Sequence, residues 1–124
     1  MKVLFIGRFQ PLHKGHLYVL RNLLRKYDHV IIGIGSPQLK NSDNPFTVKE
    51  REEMIRKTLG KGNYRVVPVP DFRSDKKWVE YIKENIKFDV AVSGNPTVIH
   101  IFRQFNINTL MIKHYKPEIY DASH

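Results

Sequence analysis

The sequence predicts an α/β domain in which a doubly wound, parallel five-stranded sheet has helices on both faces. Three observations support this prediction. Five short apolar segments alternate with four amphipathic ones along the chain, which is the order of a parallel sheet with crossover helices. The strand segments are apolar on both sides, as expected for strands that are buried on both faces. The length of 124 residues fits one domain, so we expect residues 1–124 to form a single unit.

The first half of the chain contains the first two strands and the first helix. Lys2–Ile6 is a short β-rich run that ends at Gly7 and predicts the first strand. Apolar side chains recur at helical spacing over His16–Tyr27, which predicts the first helix. Val30–Ile34 predicts a second buried strand, and the Ser-, Pro-, Asn- and Asp-rich stretch Ser36–Pro45 predicts a loop.

The second half continues the same alternation. Thr47 and Glu50 have the spacing of a capping box, which predicts a second helix that ends at Leu59, before Gly60. The remaining elements are a third strand over Tyr64–Val69, a third helix marked by apolar positions from Trp78 to Ile86, a fourth strand over Phe88–Val92, a fourth helix from Pro96 to Phe105, and a fifth strand over Thr109–Ile112. This order predicts a Rossmann-like fold.

Composition excludes several classes of protein. The chain has no cysteine, so disulfide scaffolds, thiolate metal sites and cysteine nucleophiles are excluded. It has no apolar run long enough to span a membrane and no signal peptide at its start, so we expect a soluble, cytoplasmic protein without a membrane partner. The formal net charge is +9, which favours polyanionic partners, either nucleic acid or phosphorylated small molecules. A merely soluble basic surface is an equal alternative on charge alone.

The turns that follow the first and fourth strands are expected to form the binding site. In doubly wound sheets, ligands bind beyond the carboxyl ends of the strands, at the point where strand order reverses. The two turns are Gly7–His16 and Ser93–Pro96. Each leads into a helix N-terminus, which attracts anions. Asn95 is a suitable cap and Pro96 a suitable first residue for the fourth helix.

The first turn contains two histidines around a glycine. His13 and His16 are three residues apart, so both imidazoles can point at a phosphate above the helix start, and Gly15 lets the backbone come close. Arg8 and Lys14 add positive charge. The alternatives are a pair of surface histidines, or a capped helix end with His16 packed underneath. A zinc site is a weaker alternative because no third ligand is evident, so we expect no metal held by side chains.

These motifs also resemble a known family. Gly7-Arg-Phe-Gln-Pro11 joined to His13-Lys-Gly-His16 is similar to the signature of the HxGH nucleotidyltransferase superfamily. Three further stretches resemble the archaeal type of nicotinamide-nucleotide adenylyltransferase, in the right order along nearly the whole chain: Asn44-Pro-Phe-Thr47 followed by Glu50-Arg51, Lys77-Trp78-Val79, and Ser93-Gly-Asn-Pro96. The resemblance implies transfer of AMP from ATP to nicotinamide mononucleotide, with magnesium, which gives NAD and pyrophosphate.

The resemblance also implies roles for individual residues. The implied catalytic residues are His13 and His16, which would contact the ATP phosphates, and Arg8, which would bridge the phosphates of the two substrates. The implied ATP-binding residues are Gly7, Phe9, Lys14, Gly15, Ser93, Gly94, Asn95 and Ser123. The implied acceptor-binding residues are Asn44, Phe46, Arg51, Asp71 and Trp78.

Alternatives remain open at two of these positions and for the function as a whole. Trp78 is equally well interpreted as the core anchor of the third helix, and Arg51 as half of an ion pair on a helix surface. One rival function is adenylylation of another phosphorylated acceptor, such as a flavin or pantetheine phosphate. Another is a non-catalytic nucleotide- or RNA-binding protein on the same fold, although the sequence has no RNP, KH or helix-turn-helix motif.

The end of the chain departs from the family pattern. Family members carry a turn with Ser or Thr, then Ile-Arg at a helix start, and then a C-terminal helix. Tyr120-Asp-Ala-Ser-His124 is similar to the beginning of that motif, and the sequence stops before Ile-Arg. We therefore expect a domain that lacks the family's C-terminal segment, which bears on catalytic competence more than on fold. Apolar surface exposed by this loss leads us to expect a homo-oligomer.

Overall fold

The computed structural model describes residues 1–38 and 40–112 of the chain. Its elements, in chain order, are β1 (Lys2–Gly7), α1 (Lys14–Lys26), β2 (His29–Gly35), α2 (Val48–Leu59), β3 (Tyr64–Val69), α3 (Asp75–Asn85), β4 (Val90–Ser93), α4 (Pro96–Gln104) and β5 (Thr109–Met111). The strands form one sheet in the order β3-β2-β1-β4-β5, and all neighbours are parallel. The predicted Rossmann-like fold is confirmed, and β1 lies beside β4 at the point where strand order reverses.

Helices cover both faces of the sheet. Leu20 of α1 and Ile55 of α2 belong to the apolar cluster on one face, whereas Ile82 of α3 and Phe102 of α4 belong to the cluster on the other. Successive residues of β1 alternate between the two clusters because side chains alternate along a strand. Burial of each such side chain stabilises the fold by roughly 1.5–3 kcal/mol relative to leaving it in water.

Some boundaries differ from the sequence prediction. The helix α1 begins at Lys14, two residues before the predicted start, because His13 caps it. The predicted capping box of α2 is present, with Thr47 as the cap and Glu50 as its partner. The fourth strand begins at Val90 rather than Phe88. None of the helices within the described residues is long and apolar enough to cross a membrane.

Candidate active site

The main cavity of the described residues lies at the carboxyl ends of β1 and β4. It has a volume of about 460 Å³ and is bordered by the first turns of α1 and α4. Six of the residues predicted to act in catalysis or ATP binding line it: Gly7, Gly15, His16, Ser93, Gly94 and Asn95. The two turns singled out in the sequence therefore meet at one site.

The two histidines cap α1 together. The Nδ1 atom of His13 accepts hydrogen bonds from the backbone N–H groups of Gly15 (3.1 Å) and His16 (3.4 Å). The Nδ1 atom of His16 accepts in return from the backbone N–H of His13, at 3.2 Å. This is a capping box in which imidazoles replace the usual hydroxyl and carboxylate or amide. The imidazole rings stack with centroids 3.7 Å apart, so the alternative of a capped helix end is confirmed.

The cap determines which ring nitrogen of His16 can donate a hydrogen bond. Because Nδ1 accepts a hydrogen bond, the neutral ring carries its hydrogen on Nε2. Burial, together with the charge of His13 nearby, lowers the pKa of His16 from 6.5 to about 3. At neutral pH, His16 is therefore an uncharged Nε2–H donor at the edge of the cavity. Gly15 lines the cavity, although its own N–H already donates to His13.

The ring of Phe9 packs against the ring of His16. Phe9 is only 1% exposed, and its ring lies edge-on to that of His16, with centroids 4.7 Å apart. Its backbone has a positive φ of 52°, and a Cβ atom at Gly7 would lie 3.0 Å from the end of the Phe9 ring. A larger residue at position 7 would therefore require the buried Phe9 ring to shift. Because the ring is buried, the predicted contact of Phe9 with ATP would have to come from its main chain.

The N-terminus of α4 forms the other wall of the cavity. Asn95 caps this helix as predicted, accepting a hydrogen bond from the backbone N–H of Thr97 at 2.9 Å. The Ser93 hydroxyl accepts from the backbone N–H of Asn95 at 3.0 Å, which fixes the turn between β4 and α4. Two helix N-termini thus border one cavity, and their partial positive charges favour an anionic ligand there.

Arg51 lies in the interior, so the interpretation as a surface ion pair is wrong. It is 0% exposed, and burial lowers the pKa of its guanidinium group. All five guanidinium N–H groups donate to main-chain oxygens at 3.0–3.2 Å, which belong to Arg8, Gly35, Ser36, Pro37 and Thr47. No N–H group remains for a ligand, so Arg51 can act on a binding pocket only by holding the main chain.

The other predicted acceptor-binding residues lie outside the lining of the cavity. Asp71 accepts hydrogen bonds from the side chains of Ser36 (3.0 Å) and Gln38 (3.5 Å), which joins the loops after β2 and β3. Trp78 is half-buried, and its ring stacks on Phe102 with centroids 5.3 Å apart. The core-anchor interpretation of Trp78 is therefore correct as far as packing is concerned, and part of the side chain remains exposed.

Asn44 and Phe46 belong to the loop before α2. The Asn44 side chain donates to Oδ1 of Asn41 at 3.1 Å. The main chain of Phe46 is held by the side chain of Gln10, a residue to which sequence reasoning gave no role. Only its place in the first turn could have drawn attention to it, since a lone glutamine has no distinctive pattern.

Three further predicted residues complete the inventory. Arg8 and Lys14 are exposed beside the His13–His16 motif. Ser123 lies outside the described residues, as does the whole Tyr120–His124 stretch. Among residues 1–38 and 40–112, no group of three or more His, Asp or Glu side chains is arranged to hold a metal ion.

Comparisons with known proteins agree with this geometry. The profile of the cytidylyltransferase-like family matches residues 4–118. The nicotinamide-nucleotide adenylyltransferase of Pyrococcus furiosus is 38% identical, over 97% of this chain and 68% of its own length. The enzyme of the same name from Methanococcus aeolicus is 40% identical, over 99% of this chain and 71% of its own length. The chain thus spans about two thirds of the length of these relatives.

A solved structure is similar over most of the sheet and helices. It is a bifunctional NMN adenylyltransferase/ADP ribose pyrophosphatase from Francisella tularensis, complexed with AMP and a manganese ion. The TM-score is 0.76 and the identity 29%, over 93% of this chain and 37% of that one. The shared part is therefore a fold that occurs in a protein crystallised with a nucleotide and a divalent metal ion.

Proposed function

Because the chain belongs to the cytidylyltransferase-like family, and within it to the nicotinamide-nucleotide adenylyltransferases, we propose that it joins ATP and nicotinamide mononucleotide to give NAD and pyrophosphate. The observation that carries this proposal is the cavity where the His13–His16 motif meets the Ser93–Asn95 turn, between two helix N-termini. Its size, and the partial positive charges of the two helix N-termini beside it, suit the phosphates of a nucleotide. The net charge of +9 favours the approach of two anionic substrates.

The reaction needs alignment more than acid–base chemistry. An oxygen of the mononucleotide phosphate attacks the α-phosphorus of ATP, and the bond from that phosphorus to the oxygen bridging to the β-phosphorus breaks. The nucleophile is already an anion, so no general base is required. Catalysis then depends on holding two mutually repelling phosphates in line and stabilising the charge on the departing pyrophosphate. His16 supplies an Nε2–H donor, the two helix N-termini supply partial positive charge, and Arg8 and Lys14 supply full positive charges.

Magnesium is proposed to enter with ATP. The described residues offer no cluster of three or more acidic or histidine side chains, whereas Mg²⁺ commonly keeps several waters and binds phosphate oxygens of a substrate. The residues present fit this arrangement because they provide donors for phosphates rather than ligands for a metal. Bound in this way, the ion would neutralise charge on the triphosphate.

The assignment is tested by incubating the purified protein with ATP, nicotinamide mononucleotide and Mg²⁺, and measuring NAD with a coupled dehydrogenase. A parallel reaction with the deamidated mononucleotide, analysed by chromatography, compares the two acceptors. Flavin mononucleotide and a pantetheine phosphate serve as acceptors for the rival reactions. NAD formation that depends on ATP and mononucleotide supports the proposal. Turnover of a rival acceptor alone, or nucleotide binding without turnover of any acceptor, would contradict it.

We also propose that Asn44, Phe46, Asp71 and Trp78 form the acceptor side of the site, with Arg51 acting through the main chain. The supporting observation is that these residues lie on the loops and helices that follow β2 and β3, next to the strand that carries the first turn. The mononucleotide phosphate would then approach the cavity from this side. ATP would occupy the side formed by β1 and β4.

Trp78 should report on the acceptor directly, because it is the only tryptophan in the sequence. Nicotinamide mononucleotide should quench its fluorescence, whereas ATP alone should leave it nearly unchanged. The Trp78→Leu variant keeps an apolar side chain against Phe102 and removes the stacking surface, so the KM for the mononucleotide should rise about fivefold and that for ATP should change little. Equal rises in both KM values, together with a lower Tm, would instead assign Trp78 to the core alone.

Two further parts of the proposal concern the cellular compartment and the oligomeric state of the protein. We propose that the protein works in the cytoplasm and as a homo-oligomer. The second part is supported by an apolar groove between α1 and the edge strand β5, where Tyr18 and Leu110 are 42% and 41% exposed. Apolar surface of this kind is commonly covered by a second subunit.

A further inference from the structure

The side chain of Gln10 forms two hydrogen bonds to the main chain of Phe46. Its Nε2 atom donates to the Phe46 carbonyl oxygen at 2.9 Å, and its Oε1 atom accepts from the Phe46 N–H, also at 2.9 Å. Donor and acceptor of one amide thus satisfy both backbone groups of one residue, as the main chain of a neighbouring strand does in a sheet. Both hydrogen bonds are partly buried, so water competes with them less than at an open surface.

The loop that Gln10 holds contains several internal hydrogen bonds. Residues Asn41 and Asn44 exchange two backbone hydrogen bonds, at 2.9 and 3.1 Å. The Asn41 side chain also accepts from the backbone N–H groups of Asp43 and Asn44. A loop with this many internal bonds moves as one piece, so its location depends on how its end at Phe46 is attached.

The attachment point lies between the two halves of the proposed site. Gln10 follows Arg8 and Phe9 in the first turn, and Phe46 immediately precedes Thr47, the cap of α2. Arg51 makes a second link to the same turn, through the carbonyl oxygen of Arg8. The first turn therefore carries the histidines on one side and holds the acceptor-side loop on the other.

We propose that Gln10 is a positioning residue, which fixes the loop of residues 41–46 against the first turn and thereby sets where the mononucleotide binds relative to ATP. This inference rests on the proposed function, because it assigns the loop to the acceptor. The physical reason is that a loop held in place presents its acceptor-binding groups already arranged, so a displaced loop binds the mononucleotide more weakly. Gln10 acts on the acceptor through Phe46 and Asn44.

The test compares Gln10→Ala with Gln10→Glu in the full chain, with Gln104→Ala as the matched control. Gln104 is an exposed glutamine at the end of α4, so its loss should alter neither measurement. Gln10→Glu keeps an oxygen that accepts from the Phe46 N–H but places a carboxylate against the Phe46 carbonyl. The first readout is hydrogen exchange at the Phe46 amide, which needs no activity. The second is the pair of KM values for the mononucleotide and ATP.

In Gln10→Ala, the Phe46 amide should exchange about tenfold faster, because its acceptor is lost. The KM for the mononucleotide should rise about tenfold, while the KM for ATP stays within about twofold. Gln10→Glu should protect the Phe46 amide better than Gln10→Ala does and should still raise the KM for the mononucleotide. A purely structural residue would lower the Tm and shift both KM values together, which would overturn the proposal.

Unchanged exchange at Phe46 in Gln10→Ala would also overturn it, whatever the kinetics. If the wild-type protein forms no NAD, the proposed function fails. The exchange measurement still decides separately whether Gln10 holds the loop, so the two failures can be told apart.

Discussion

Replacing His16 by alanine should lower kcat for NAD formation by about a hundredfold to a thousandfold while the protein remains folded. Loss of one donor that stabilises developing charge has effects of this size. His16 lines the cavity, and its Nδ1 is occupied by the cap, so the group lost to the reaction is the Nε2–H donor. Steady-state kinetics gives kcat, and thermal unfolding monitored by circular dichroism gives the Tm.

His16→Gln tests the capping role of His16 by itself. Glutamine is a preferred residue at the third helical position of a capping box, so this variant should keep the bond to the His13 N–H and most of the stability. Its amide also carries N–H donors, so kcat should lie between that of His16→Ala and that of the wild type. A wild-type kcat in His16→Ala would show that His16 supplies no donor to the reaction. His100→Ala, which removes an exposed histidine on α4, is the matched control and should keep normal activity.

The lowered pKa of His16 also predicts how the stability of the protein depends on pH. Its pKa is 6.5 when unperturbed and about 3 in the fold, so between these values the unfolded chain binds a proton that the folded chain does not. The free energy of unfolding therefore rises with pH across this window. The part of it that comes from His16 is lost as the pH falls from about 6.5 towards 3. His16→Gln should lose Tm less steeply than the wild type between pH 7 and 4. Parallel curves would show that His16 does not resist protonation.

Hydrophobic pattern predicted the order of the elements and the place of the site, because strands buried on both faces and amphipathic helices differ in period. The approach of the His13–His16 turn to the Ser93–Pro96 turn followed from topology alone. The sequence predicts a start for α1 that is two residues too late. Helix caps are usually Ser, Thr, Asp or Asn, whereas the cap of α1 is a histidine. Nothing in the neighbouring sequence shows that a histidine side chain will accept hydrogen bonds from two backbone N–H groups.

The burial of Arg51 could not be predicted from its neighbours in the sequence, and the reason is related. It follows Glu50 and precedes Glu52 in α2, a charge pattern typical of an exposed helix face. Its burial depends on main-chain oxygens from the turns after β1 and β2, which converge only in the folded chain. The Gln10–Phe46 contact, over 36 residues, is of the same kind. In both cases a polar side chain binds the backbone of a distant loop.

Replacing Arg51 by methionine should lower the free energy of unfolding by about 3–5 kcal/mol. Methionine fills much of the same volume, so the loss comes chiefly from five buried or partly buried carbonyl groups that lose their donor. Removing one partner from a buried charged interaction has effects of this size. For a domain of 124 residues, the Tm should fall by about 10–20 °C. Urea unfolding measures the free energy directly, and a Cm shift without a change in m would locate the effect in the folded state.

Arg56→Met provides the control on the same helix. Arg56 is exposed and pairs only with Glu52, one turn away, among the described contacts, and such pairs contribute about 0.5 kcal/mol or less. Arg51→Lys keeps the charge but offers three donors instead of five, so its stability should lie between that of Arg51→Met and the wild type. Equal stability of Arg51→Met and Arg56→Met would show that the five carbonyl groups find other donors. The loops proposed to form the acceptor side of the site would then be held by something other than Arg51.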